Sequence, residues 1–343
     1  MTSFDNTFII AGSGRSGTTW ILDVLATASN YKTIFEPLHP GVGEVARKCA
    51  GKYIRPDSVQ VDIKKFMDAV ITGKIRTIWT NYRVISDRLK PTPDVFISPR
   101  AFIELFQRYK MLWNNYRRLN RNNHVGVAVK FIRANLLLGW LCGQYNVRTL
   151  FIVRHPGAVI ESKLRLDAAA RSAGLKHGTS DWNPHFVLNQ YLNDKIFCDD
   201  ILDHYIKNID LKSMSDLEIH TLNWCLENVP VLDVANKYNI CVSCYEDLVA
   251  NGETEWNRIT DYLGLSLNYD ELNINKPSQQ ASEDFRKLAT TEEKLSRWMG
   301  RFTDIEKESI DKILELFKVN IYSAFECMPS RITPDSINEG IPR

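Results

Sequence analysis

The run Gly12-Ser13-Gly14-Arg15-Ser16-Gly17-Thr18-Thr19-Trp20 holds residue types that bind a phosphate group largely through the main chain. Its Gly-x4-Gly spacing falls between a β-branched and aromatic run, Thr7 to Ala11, and an apolar helical pattern from Thr18 to Ala28. A turn placed between strand and helix lets backbone N–H groups and the positive end of the helix dipole converge on an anion. The lysine that reaches the β- and γ-phosphates in ATP-binding loops is absent, and Thr18 takes its position. The basic residue lies inside the loop instead, as Arg15. A guanidinium there can neutralise charge on a bridging oxygen without a triphosphate clamp or an obligatory metal. The loop therefore suits a donor whose reacting group hangs on a single 5′-phosphate.

At Arg154-His155-Pro156 the strand read as Arg148 to Val153 ends and a helix begins, so guanidinium and helix N-terminus can converge on a second anion; alone, Arg-x-Pro reads better as an ordinary helix-start arginine. Ser162, two turns into that helix, adds a hydroxyl donor. His155 reads as either structural or cofactor-associated.

Taken together, these motifs resemble the sulfotransferase family that uses 3′-phosphoadenosine 5′-phosphosulfate (PAPS). The resemblance implies that Arg15, Ser16, Gly17, Thr18, Thr19 and Trp20 hold the 5′-phosphosulfate segment, and that Arg154 and Ser162 hold the 3′-phosphate. It implies further that Trp20 stacks on the adenine and that Tyr245, of Tyr245-Glu246-Asp247, contacts it. Trp298-Met-Gly-Arg-Phe302-Thr303 is similar to the family's Trp-x3-Phe-Thr segment, but the basic-glycine loop expected seven residues earlier is missing. Lys294, Arg297 and Arg301 are candidate substitutes, with Arg297 taken as the cofactor ligand.

Sulfuryl transfer needs in-line attack by an acceptor, a base for its proton, and positive charge where the leaving phosphate gains electrons. Carbohydrate-modifying members of the family carry Phe-Glu-Pro with the glutamate as base, and this chain has Phe35-Glu36-Pro37. Glu36 is thus the expected base, with His39 a competitor and a salt bridge to a nearby arginine the alternative role. Lys130 and Arg133 follow a strand read as Val125 to Val129. Lys130 either stabilises the sulfuryl oxygens or leaving group, or pairs with Glu36. Catalytic roles accordingly fall to Glu36, Arg15 and Lys130.

The elements that must position these residues are short apolar strands alternating with helical patterns. Strands are expected at Thr7–Ala11, Thr33–Phe35, Val125–Val129, Arg148–Val153 and Ile240–Cys244, with helices near 186–206 and 216–238 and a mostly helical last third to about Phe325. That pattern predicts an α/β fold: a doubly wound, largely parallel sheet with a P-loop-like nucleotide site and helical insertions. One domain is expected over 1–328, with insertions at about 40–124 and 165–215 that select the acceptor, and a loop-like tail at 329–343. Phe102, Leu105, Phe106, Tyr109, Trp113 and Tyr116 predict an amphipathic helix in the first insertion. Its basic face, Arg108 to Arg121, is either solvated or holds an anionic acceptor.

The chain has 343 residues, 44% of them hydrophobic, and a net charge of +2 from 43 basic and 41 acidic residues. That balance argues against nucleic acid as a partner and leaves anion binding to local clusters. Seven scattered cysteines, including Cys241 and Cys244, read as reduced thiols. The N-terminus lacks the basic flank and apolar core of a secretory signal, and no apolar stretch reaches membrane-spanning length. A soluble, cytoplasmic protein is the expectation. His177, His185, His204 and His220 show no metal-ligand spacing, so no metal is expected, and the absence of a Gly-x-Ser-x-Gly elbow removes a serine hydrolase. The expected reaction moves a sulfuryl group from PAPS to an acceptor hydroxyl or amine of a carbohydrate, glycolipid or other hydroxylated metabolite. A nucleotide-kinase-like phosphoryl transferase and a non-catalytic nucleotide-binding protein are the alternatives.

Overall fold

Five strands form one parallel sheet: β1 (Thr7–Gly12), β2 (Lys32–Phe35), β3 (Val127–Phe131), β4 (Arg148–Val153) and β5 (Ile240–Cys244), in the order β2-β3-β1-β4-β5. The computed structural model describes residues 4, 6–75, 77–80, 124–172, 183–206, 210–274 and 290–330. Alternate residues of each inner strand point to opposite faces, and both faces are covered. Ile9, Ala11, Val129, Phe131, Phe151 and Val153 enter one apolar cluster, while Phe8, Ile10, Ala128, Leu150 and Ile152 enter the other. This is why the strands read as nearly unbroken apolar runs.

The described α-helices of six residues or more are α1 (Thr18–Ser29), α2 (Glu44–Cys49), α3 (Val61–Ile71), α4 (Leu138–Gln144), α5 (Pro156–Ser172), α6 (Pro184–Leu192), α7 (Asp216–Val234), α8 (Tyr245–Ala250), α9 (Gly252–Leu263), α10 (Thr291–Ser296) and α11 (Asp304–Leu316). Pro156 opens α5 at the position where its fixed φ and missing N–H cost nothing. Ser215 caps α7 in a reciprocal capping box with Glu218.

Three expectations change. β3 begins and ends two residues later than its apolar pattern suggests, because its register is set by β1, which pairs Thr7 with Val127 and Ile10 with Lys130. Lys130 is therefore inside the strand, not beyond it. The helical pattern near 186–206 is interrupted at Asn193 and Asp194 and resumes from Lys195 to Ile206, with a π-helical stretch over Cys198–Leu202. The described helices end at Leu316 rather than near Phe325, with Lys318 in the left-handed region at φ 54°. The amphipathic helix expected over 102–121, the basic face from Arg108 to Arg121, and His177 lie outside the described residues.

Candidate active site

All five strands run the same way, so their carboxyl ends share one rim, and β1 separates two of its parts. Gly12 ends β1 where the chain touches β4. A Cβ there would stand 2.5 Å from the Ile152 carbonyl oxygen, so only glycine fits. Gly17 caps α1 at φ 86°, and a Cβ would strike the Tyr245 ring at 2.5 Å. Between them Ser13 is fully buried, its Oγ accepting from Asn135 Nδ2 at 3.2 Å. Helix α1 starts with no side-chain cap and no acidic residue in its first turn, so its leading N–H groups suit an anion.

Arg15 stands in the same loop at φ 77°. Its Nε donates to Ser162 Oγ on α5 at 2.9 Å, and its carbonyl accepts from Arg154 Nη1 at 3.0 Å. The loops after β1 and β4 are thus tied directly to each other. The Arg154 guanidinium also lies 4.4 Å over the Tyr245 ring, and Tyr245 meets Trp20 edge-on with centroids 5.8 Å apart. Burial, then the charges of Arg154 and Arg165, lower the Arg15 pKa to about 10, against a smaller upward pull from Glu161. Among the described residues, Ser16 Oγ and Arg154 Nε are buried without a hydrogen-bond partner. A hydroxyl and an N–H in that condition, beside an excess of guanidinium, fit phosphate oxygens.

The other part of the rim is built by β2 and β3. Glu36 follows β2 at φ 40°, is 8% exposed, and donates its backbone N–H to the Lys130 carbonyl at 2.9 Å. Lys130 Nζ donates to Glu36 Oε1 at 2.5 Å and Arg133 Nη1 to Oε2 at 2.7 Å. Lys130 is 2% exposed and its ammonium lies 4.3 Å over the Phe35 ring. Burial pushes the Glu36 carboxyl up, but Lys130 and Arg133 outweigh it and hold the group below its ordinary range. Glu36 is consequently ionised at neutral pH, and weakened as a base by both cations.

His155 is fully buried behind the second loop. Its Nδ1 accepts from the Gly157 N–H at 3.1 Å, so Nε2 carries the proton and donates to the Ser323 carbonyl at 3.0 Å. Burial first, with help from Arg154, lowers its pKa to about 3. Glu246 accepts from the His155 N–H at 3.0 Å and from Tyr322 Oη at 2.9 Å, and Trp298 stacks on the imidazole at 4.2 Å. These contacts clamp the C-terminal segment onto the start of α5. Arg297 lies between α10 and Trp298, on that side of the molecule. Among the described residues no group of three or more His, Cys, Asp or Glu is arranged to hold a metal ion, and no helix is long and apolar enough to cross a membrane.

No family model matches the sequence, and no curated protein sequence does. The chain is similar in structure to solved sulfotransferases. One is the sulfotransferase domain of the Synechococcus PCC 7002 olefin synthase, at 16% identity, covering 92% of this chain and 96% of that one with a TM-score of 0.43. Another is the sulfotransferase domain from the curacin biosynthetic pathway, also at 16% identity, with 92% and 98% covered and a TM-score of 0.43. Mouse sulfotransferase SULT7A1 complexed with PAP is 14% identical, with 93% and 87% covered and a TM-score of 0.41.

The structure brings Arg15, Ser16, Gly17, Thr18, Thr19, Trp20, Arg154, Ser162 and Tyr245 to one part of the rim, and Glu36 and Lys130 to the other. Sequence reasoning passed over Asn135, which links Ser13 to the Glu227 carbonyl, and the pair Glu161 and Arg165 on α5. The signal for Arg165 was available: it stands one helical turn after Ser162.

Proposed function

We propose that this chain is a PAPS-dependent sulfotransferase acting on a hydroxyl or amine of a carbohydrate, glycolipid or other hydroxylated metabolite. The observation that carries this reading is the direct tie between two anion loops, through Arg15 Nε to Ser162 Oγ and Arg154 Nη1 to the Arg15 carbonyl. A nucleotide with phosphates at both the 5′ and 3′ positions suits that pair, and the aromatic rings of Trp20 and Tyr245 beside it suit an adenine. The loop has no lysine after Gly17 to grip a triphosphate. Arg15, Ser16, Thr18 and Thr19 would hold the 5′ segment, and Arg154 with Ser162 the 3′-phosphate.

PAPS supplies the sulfuryl group that the acceptor takes up. In this reading Arg15 offsets negative charge on the departing 5′-phosphate, and Lys130 lends positive charge from the β3 side. Glu36 accepts the acceptor's proton at Oε2, the oxygen paired with Arg133, whose side chain is 18% exposed against 2% for Lys130. The Phe35-Glu36-Pro37 motif supports a glycan or glycolipid acceptor.

Calorimetry tests the donor. Tight binding of adenosine 3′,5′-bisphosphate without Mg²⁺, together with weak ATP binding, is expected, whereas Mg²⁺-dependent ATP binding would establish a phosphoryl transferase instead. Turnover of ³⁵S-labelled donor across a panel of acceptors tests the catalysis. Glu36→Gln is expected to keep bisphosphate binding and lose at least about a hundredfold in turnover. Unimpaired turnover would remove Glu36 as the base.

A further inference from the structure

Helix α5 carries more charge toward the second anion loop than Arg154 alone. Ser162 and Arg165 are one turn apart on the same helix face, and Arg15 reaches that face through its bond to Ser162. Arg165 Nε lies 3.5 Å from Glu161 Oε1, one turn back, and is itself buried without a hydrogen bond although the side chain as a whole is 39% exposed. Among the described residues, Arg15, Arg154 and Arg165 stand together with the Glu161 carboxylate, while the Glu246 carboxylate acts on Arg154 from behind the loop, where the His155 N–H and Tyr322 Oη hold it. The three guanidiniums outnumber these two carboxylates, and the local excess of positive charge suits a phosphate monoester, which carries about −1.5 to −2 at neutral pH. The downward pull of Arg165 on the Arg15 pKa agrees with this crowding.

We propose that Arg165 is the third cation of the second anion site and sets its preference for a nucleoside 3′,5′-bisphosphate over a 5′-monophosphate. Glu161 holds the guanidinium beside Ser162 and moderates its charge. Arg165 then supplies from α5 the positive charge that the missing basic-glycine segment before Trp298 does not bring, in place of Arg297. The assignment rests on the donor reading given above.

The test measures affinities for adenosine 3′,5′-bisphosphate and for 5′-AMP by calorimetry in the full-length protein and in Arg165→Gln, Glu161→Gln and Arg297→Gln. The unaltered protein is expected to prefer the bisphosphate. Arg165→Gln should lose about tenfold or more of bisphosphate affinity, the scale of one charge-assisted hydrogen bond, while 5′-AMP binding stays unchanged and shows that the variant is folded. Glu161→Gln should strengthen bisphosphate binding severalfold, since it removes the carboxylate paired with Arg165. If Arg165→Gln leaves the bisphosphate-to-monophosphate ratio unaltered, or if Arg297→Gln alone collapses it, Arg165 is not the third cation. If the unaltered protein itself does not prefer the bisphosphate, the donor reading falls, and this assignment with it.

Discussion

Replacing Lys130 by methionine keeps most of the side chain's volume and removes one of the two cations that hold Glu36. The ammonium is buried, 2.5 Å from Glu36 Oε1, and the substitution leaves a carboxylate 8% exposed with Arg133 as its remaining partner at 2.7 Å. Breaking a buried ion pair from one side costs about 3–5 kcal/mol, because the surviving charge stays desolvated. Retention of Arg133 puts Lys130→Met at the lower end, about 3 kcal/mol. Glu36→Gln should cost a similar amount by leaving two cations facing a neutral amide. The double variant leaves only Arg133, which can turn toward water, so its cost should fall short of the sum by about 1–3 kcal/mol. Urea unfolding at pH 7 of the four proteins in this cycle gives the coupling directly. Additivity within about 0.5 kcal/mol would refute the idea that these three groups form one charge network. The pH dependence gives a second check. Glu36 has a folded pKa below its ordinary 4.5, so its contribution is complete above that pH and is lost as the pH falls through the folded value. That acid limb should flatten in Glu36→Gln.

Two further outcomes are expected. Gly17→Ala puts a methyl group at φ 86° and 2.5 Å from the Tyr245 ring, so calorimetry should show at least about a tenfold loss of adenosine 3′,5′-bisphosphate affinity; affinity within twofold of the parent would mean that the ring and loop shift without harm. His155 and His220 are both held to pKa values of about 3, by burial first and by Arg154 and Lys163 respectively, so each stays neutral when folded and binds a proton when unfolded below pH 6.5. Stability is then complete above pH 6.5 and declines as the pH falls toward 3, by about 1.4 kcal/mol per pH unit for each histidine. Urea unfolding at pH 6 and pH 5 should show a shallower decline in His155→Gln, and an unchanged slope would count against a neutral His155.

The strand that leads into the second loop was plain in the sequence because Leu150 to Val153 is apolar throughout, and the structure buries it on both faces. The bounds of β3 were not. Val125 is apolar yet 59% exposed, and the strand starts only where Val127 meets Thr7. Register is a contact between segments distant in the chain, and a one-residue slip exchanges the faces of a strand. Lys130 was misplaced for the same reason: a lysine after an apolar run reads as the end of burial, and its burial depends on a carboxylate 94 residues away. The phosphate loop was legible because its chemistry is local, all within Gly12 to Trp20. The meeting of Arg15 with Ser162 spans 147 residues, and the motifs could only suggest it by each asking for an anion.

Arg15 and Glu36 share a feature that no motif announces, since both stand in left-handed backbone regions that cost a non-glycine residue roughly 1–3 kcal/mol each. Such strain persists only where the surroundings hold a residue from more than one side. Arg15 is held through its carbonyl by Arg154 and through its Nε by Ser162. Glu36 is held through its N–H by the Lys130 carbonyl and through both carboxylate oxygens by Lys130 and Arg133. The sheet order sets the two on different strand ends, close enough that the charge of Arg15 acts on Lys130, the partner of Glu36. Arg15 leaves β1 toward β4 and its anion loop, whereas Glu36 leaves β2 beside β3, across β1 from that loop. In the proposed reaction, a donor held at the β1–β4 side and an acceptor approaching from the β2–β3 side would meet over the end of β1, beside two residues whose backbones are already fixed.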